Sequence, residues 1–170
     1  MHNVKGVPRE TNLLDQQLCF ALHATSRAVT QAYGPLLAPL GVTYPQYLVL
    51  LVLWEDDGLT VSGIGERLHL DSGTLTPLLG RLEGLGLVSR TRDLDDRRVV
   101  RVSVTPAGKK LRVRARGIGA RMGCAMGLSP GEIATLRFSL HRMLRSLQSH
   151  NKAGPALEAP PLRTRKTGIR

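Results

Sequence analysis

No stretch of this sequence is apolar for long enough to cross a bilayer. The longest apolar run, Leu48 to Trp54, falls far short of the ~20 residues that a spanning helix needs. The N-terminus, Met1 to Glu10, is mixed and charged and lacks the apolar stretch of a secretory signal. Aromatic residues make up only 4 %, so the core has to be aliphatic, and no basic amphipathic segment has the aromatic apolar face of a membrane-surface helix. The two cysteines, Cys19 and Cys124, lie far apart and form no CxxC or zinc spacing, and the five histidines show no metal spacing. Asp15, Glu55, Asp56 and Asp57 do not form an acid–base pair, and no phosphate loop or nucleophile elbow occurs. The expectation is a cytoplasmic protein with no membrane association, no metal, no cofactor and no enzymatic activity, whose cysteines start as thiols. Acid is also in deficit: 13 acidic against 24 basic residues leave a net charge of +11. That imbalance favours a polyanionic partner, nucleic acid first.

What is present suits one domain with tails: 170 residues, 42 % of them hydrophobic. Residues 1–11 read as a loose arm. From Asn12, a possible cap, apolar positions recur at three- and four-residue steps through Leu14, Leu18, Leu22, Val29 and Leu36, with Pro35, Pro39 and Gly41 breaking the far end. Thr43 caps a second helix, Tyr44 to Glu55, apolar almost all round and therefore central to a core, with Tyr47 and Trp54 as core residues. Asp56-Asp57-Gly58 makes a turn before a short amphipathic helix, Thr60 to Leu68. The following segment, Asp71 to Glu83, has an inner leucine stripe (75, 78, 79, 82, 85) and an outer face of hydroxyls and Arg81. Periodicity then switches to two. Residues 87–92 and 100–104 read as strands of a hairpin around the polar turn Asp93 to Arg98.

Thr105-Pro106 signals the start of a long basic helix to about Met126, with Leu111, Ala115, Ile118 and Met122 inward. Its glycines 117, 119, 123 and 127 predict a bend or interruption. Ser129-Pro130-Gly131-Glu132 is a capping box for a last helix with a stripe from Ile133 to Leu147. Residues 150–170, rich in Pro, Ala, Lys and Arg, read as a disordered basic tail.

A short helix followed by one with a Ser, Thr and Arg outer face is what a helix-turn-helix requires. Small donors and a guanidinium can then meet base edges in the major groove. A hairpin tipped by Arg97 and Arg98 can reach the adjacent minor groove, with Asp95 and Asp96 orienting the arginine forks. The fold class is mainly α with a small β-hairpin wing. Pro77 breaks the pattern: the regular helix starts at Thr76-Pro77 or is kinked, and Thr74 or Thr76 can serve as its cap.

Leu70-Asp71-Ser72-Gly73-Thr74-Leu75-Thr76-Pro77-Leu78-Leu79, the Asp96-Arg97-Arg98 wing, Leu18-Cys19-Phe20-Ala21-Leu22 and Thr43-Tyr44-Pro45-Gln46-Tyr47 resemble the MarR family, and within it the OhrR branch of organic-hydroperoxide-sensing repressors. The resemblance spans about residues 12–148. It implies a winged helix-turn-helix domain over 12–149, dimerised through helices at about 12–40 and 106–149, with the DNA-binding part at about 44–104. It also implies a homodimer on a pseudo-palindromic double-stranded operator and an organic hydroperoxide as inducer. By motif, Ser72, Thr74, Thr76 and Arg81 face DNA with Arg97 and Arg98 of the wing. Cys19 is the implied peroxide-reactive thiol, Cys124 the resolving thiol of a two-cysteine member, and Tyr33 and Tyr44 the thiolate-stabilising donors from across the dimer. A tyrosine common one turn after the cysteine is replaced here by His23, which shares the face of Cys19 and can help stabilise the thiolate.

Three other readings stay open at this level. They are a regulator of the same fold responding to a small aromatic ligand, a thiol peroxidase, and a nonspecific DNA-coating protein.

Overall fold

The computed structural model describes residues 13–93 and 95–152; the N-terminal arm with Asn12, and the tail beyond Lys152, lie outside them. The chain divides into two compact units, residues 1–122 and 123–170.

In the first unit, a short 3₁₀ turn (Leu14–Gln16) leads into α1 (Leu18–Leu37), which ends in a second 3₁₀ turn (Ala38–Leu40) closed by Gly41 in the left-handed region. Pro35 sits inside α1 rather than ending it; the helix stops two residues later, at Leu37. Proline removes one N–H from the ladder and its ring crowds the preceding turn, and α1 ends within one turn of it. α2 (Tyr44–Glu55) has Pro45 in its first turn, and the Gln46 side chain accepts from the Thr43 N–H at 2.8 Å. Seven of its residues are buried, Val49 and Leu50 completely, as a helix apolar almost all round requires. That apolarity also explains why α1 and α2 together, bent by 71°, have the length and composition of a broken membrane span; among the described residues no single helix is long and apolar enough to cross a membrane.

After the Asp56–Gly58 turn, a two-residue strand β1 (Leu59–Thr60) precedes α3 (Val61–Leu68) and α4 (Ser72–Gly84). β2 (Val88–Arg92) and β3 (Val100–Val104) form an antiparallel hairpin in which Val88 opposes Val104 and Arg92 opposes Val100. β1 adds to the other edge of β3, giving the order β1-β3-β2. Sequence periodicity cannot find a strand of two residues. Leu75, Leu79 and Leu82 of α4 close the core with Ile64, Val88, Val102, Leu53 and Leu111.

α5 (Pro106–Arg114) is capped by Thr105, whose hydroxyl accepts from the Gly108 N–H at 3.1 Å and donates to the Gly86 carbonyl at 2.6 Å. The expected interruption falls at Gly117, with φ +82°, before α6 (Ile118–Ala125). Leu111, Ala115, Ile118 and Met122 are all buried.

The second unit holds the end of α6 and α7 (Pro130–Lys152). Its start is the capping box read from sequence: the Glu132 carboxylate accepts from the Ser129 N–H at 2.8 Å, and the Ser129 hydroxyl accepts from the Glu132 N–H at 3.3 Å. α7 runs to Lys152, so helix extends into the segment 150–170 that composition marks as tail. Leu136, Leu144 and Leu147 of its apolar stripe are exposed.

Candidate nucleic-acid interface and thiol site

The turn between α3 and α4 is built by backbone chemistry. His69 adopts a left-handed conformation (φ 55°), and the Leu70 N–H returns to the Gly65 carbonyl at 2.9 Å. A Cβ on residue 65 would lie 2.8 Å from the Leu70 carbonyl oxygen, so this close approach requires glycine. α4 then begins at Ser72, four residues before the start expected from Pro77. The cap is neither Thr74 nor Thr76 but Asp71, whose carboxylate accepts from the Thr74 N–H at 2.8 Å. That bond holds the Asp71 carboxyl below its ordinary value, with the Thr74 hydroxyl, at 3.2 Å from its other oxygen, adding to the effect. The Thr76 hydroxyl donates to the Ser72 carbonyl at 2.7 Å. Capping by an acid three residues before Thr74 leaves room for a regular first turn before Pro77. Ser72, Thr74, Thr76 and Arg81 are all exposed, while Leu75, Leu79 and Leu82 turn inward.

The hairpin is braced by carboxylates. Asp96 chelates Arg98: Nε and Nη2 each donate at 3.0 Å to separate carboxylate oxygens, and the Arg98 N–H adds a third bond at 2.9 Å. This contact lowers the Asp96 pKa and raises that of Arg98. The Arg98 side chain remains 91 % exposed, so it is aimed without being buried. Asp95 does not share this orienting role. Its N–H is held by Asp93, which sequence reasoning missed. Asp93 also binds Arg101 Nε at 2.5 Å, which lowers the Asp93 pKa, and Arg101 reaches the Gly58 carbonyl at 3.3 Å. Arg90 clasps Glu83 of α4 through Nε (2.9 Å) and Nη2 (2.5 Å), joining the helix to the hairpin and lowering the Glu83 pKa. Nothing local in the sequence marks the Glu83–Arg90 pair, because its members belong to different elements.

The cysteines are both free and exposed: Cys19 in the first turn of α1, Cys124 on α6 in the second unit. His23 stands one helical turn from Cys19 and lines a shallow groove with Phe20, Ala24, Arg27, Ala28 and Gln31. Tyr33 and Tyr44 come together, their rings stacked at 4.3 Å, with Tyr47 6.0 Å from Tyr33. Burial raises the pKa of all three phenols, helped at Tyr33 by its two tyrosine neighbours and at Tyr47 by Tyr44, so near neutral pH each keeps its O–H. Within one chain they do not meet Cys19. Tyr33 lies 14 residues along the same helix, about 21 Å at 1.5 Å per residue. Tyr47 and Trp54 are buried, and Trp54 Nε1 donates to the Gly108 carbonyl at 3.2 Å. No cluster of three metal-ligating side chains occurs among the described residues.

A short helix, a tight left-handed turn, a second helix with an outward hydroxyl face and a braced cationic hairpin define a winged helix-turn-helix DNA-binding regulator. Comparison with known proteins agrees. Residues 42–100 match the MarR family. The chain is 48 % identical over 141 residues to an organic hydroperoxide resistance transcriptional regulator of Bacillus subtilis, covering 81 % of this chain and 94 % of that protein. It is similar to reduced AbfR bound to DNA (TM-score 0.67, 36 % identity, 79 % of this chain and 93 % of that one), AbfR being a protein of Staphylococcus epidermidis. It also resembles the disulfide-formed AbfR, less closely in shape (TM-score 0.57, 36 % identity, 77 % and 92 %). The chain belongs to the MarR family. It is a DNA-binding transcriptional regulator and not an enzyme.

Proposed function

We propose that this chain is a cytoplasmic homodimeric repressor that binds a pseudo-palindromic operator when reduced and releases it when Cys19 is oxidised by an organic hydroperoxide. Ser72, Thr74, Thr76 and Arg81 face the major groove, and Arg97 and Arg98 the adjacent minor groove. The Thr74 and Thr76 hydroxyls already donate within the protein, so they meet bases as acceptors. Two such surfaces are held roughly 34 Å apart by the dimer. Exposed Leu18 and Phe20 on α1, and Leu136, Leu144 and Leu147 on α7, supply apolar surface for that pairing.

The observation that carries the redox reading is an exposed thiol in the first turn of α1 with Tyr33 about 21 Å along the same helix, stacked as a protonated phenol on Tyr44 of α2. Phenols so placed reach a Cys19 only when it comes from a second copy, so the dimer completes the thiol site. His23 adds a polar neighbour one turn from the cysteine. The Cys19 thiolate attacks an O–O oxygen of R′OOH, forming the S–O bond of a sulfenic acid as the O–O bond breaks; the displaced alkoxide takes a proton and leaves as R′OH. The Cys124 thiol of the partner subunit then displaces hydroxide from the sulfenic sulfur, giving a disulfide and water. Loss of specific binding calls for about 4 kcal/mol or more between the two states, within reach of a rearranged dimer interface.

The test is intact mass and non-reducing gel analysis after one equivalent of cumene hydroperoxide. The proposal expects a dimer-sized band that disappears with thiol reductant and is missing in Cys124→Ser. An unreacted Cys19, or many turnovers of peroxide with thiol reductant as in a peroxidase, would overturn it.

A further inference from the structure

The hairpin carries five arginines: Arg90 and Arg92 on β2, Arg97 and Arg98 in the turn, and Arg101 on β3. Three are held by carboxylates, Arg90 by Glu83, Arg98 by Asp96 and Arg101 by Asp93. The side chains of Arg92 and Arg97 make no hydrogen bond or ion pair with another described residue. Both are exposed.

The register places these cations on particular sides. Arg90 lies opposite Val102, which is fully buried, so Val88, Arg90 and Arg92 share the hairpin face that packs on α4. Arg101 lies opposite Thr91, on the other face. Arg92 therefore projects on the α4 side, about 7 Å further out along the strand than Arg90 and past the reach of Glu83. With α4 in a major groove and the turn in the next minor groove, the phosphodiester strand separating the two grooves has to pass between helix and wing. That is the space Arg92 faces.

We infer that the carboxylates sort the remaining arginines around Arg98, which Asp96 aims at the minor groove: Arg92, with Arg97, binds backbone phosphate bordering that groove, while Glu83 withholds Arg90 from phosphate and uses it to fix the wing to α4. The inference rests on the wing engaging DNA as proposed above. A guanidinium paired with a carboxylate has its charge largely neutralised, so it releases few condensed counterions on meeting a phosphate. An unpaired one displaces condensed counterions and contributes about 0.9 to the slope of log K against log salt. Glu83 is accordingly a positioning residue that never touches DNA.

The experiment measures that slope by fluorescence anisotropy on a random-sequence duplex, where base reading plays no part. It uses full-length dimers with melting temperatures confirmed beside the wild type. Arg92→Gln and Arg97→Gln each lower the slope by about 0.9, and Arg90→Gln leaves it unchanged. Glu83→Gln frees Arg90, raises the slope by about 0.9 and strengthens binding to random DNA; adding Arg90→Gln to it restores the wild-type slope. A merely structural Glu83 would weaken binding without steepening its salt dependence. The sorting is overturned when Arg90→Gln lowers the slope as much as Arg92→Gln, or when Glu83→Gln leaves it unchanged. Failure of the wild-type wing to contribute at all, seen as an unchanged slope in every arginine variant, would instead sink the placement of the wing on DNA.

Discussion

Gly108 offers the sharpest test of how the hairpin is seated on the body. It lies in the first turn of α5, buried, and a Cβ built on it would stand 2.2 Å from the Leu87 carbonyl oxygen and 2.7 Å from Val104 Cγ1. A carbon and a carbonyl oxygen cannot approach within about 3 Å without something moving. Neither partner is a flexible side-chain end, so Gly108→Ala has to push the start of α5 off β2 and β3 by roughly 1 Å. Such a shift strains the Thr105 N–H bond to Leu87 O (3.1 Å) and draws the Gly108 carbonyl away from Trp54 Nε1. Overpacking costs about 1–3 kcal/mol and a lengthened buried hydrogen bond about 1 more, against at most ~1 gained from alanine's helix propensity. The net loss, about 2 kcal/mol, lowers the melting temperature of a chain this size by about 4–8 °C. Trp54 is the single tryptophan, so its fluorescence reports the displacement directly. Gly80→Ala is the control. Nothing lies within 4 Å of a Cβ there, in the middle of α4, and the same change is expected to raise the melting temperature by up to about 4 °C. A Gly108→Ala protein that melts within about 1 °C of wild type with unchanged emission would refute the packing argument.

Thr105→Ala removes both the α5 cap and the bond to Gly86, costing about 1–2 kcal/mol and a few degrees in thermal melts; an unchanged melt counts against the cap. Spectrophotometric titration of the three tyrosines is expected to give midpoints above that of a free phenol, because burial raises each of them. With folded values above unfolded ones, this contribution to stability is intact below pH 10 and disappears as the pH climbs through the raised values. For Glu83, Asp93 and Asp96 the sign is opposite. Their pKa values are depressed by Arg90, Arg101 and Arg98, so the braces hold at and above the ordinary carboxylate range and fail as the pH falls below it. Hydrogen exchange of the hairpin amides should be flat from about pH 8 to 5, after correction for intrinsic rates, and lose protection below about pH 4. Loss of protection already at pH 6 would contradict the pairing.

Much of this architecture was legible because single signals were strong. The nearly continuous apolarity of Tyr44–Glu55 placed α2 in the core, the period-two valines placed β3, and Ser129 with Glu132 marked the start of α7. Legibility stopped where two local signals competed. Pro77 argued for a late start to α4, but an aspartate cap at Asp71 set the helix going early enough for the proline to fall in its second turn. Pro35 similarly entered the last turn of α1 without ending it. The candidate site divides the same way. The outward hydroxyls and the Asp96–Arg98 chelate follow from helical spacing and adjacency, whereas the partners of Arg90 and Arg101 lie seven and eight residues away and are known only once the chain is folded. The distance between Cys19 and Tyr33 could be counted along α1, yet the partnership proposed for them calls for a second copy.

The most direct measurement is operator occupancy of the reduced wild-type dimer as cumene hydroperoxide is added up to one equivalent per Cys19, set beside Cys19→Ser on the same DNA. The proposed mechanism predicts stoichiometric release of wild type, reversal by dithiothreitol, and a Cys19→Ser protein that stays bound throughout. Release of Cys19→Ser at the same peroxide dose would contradict it.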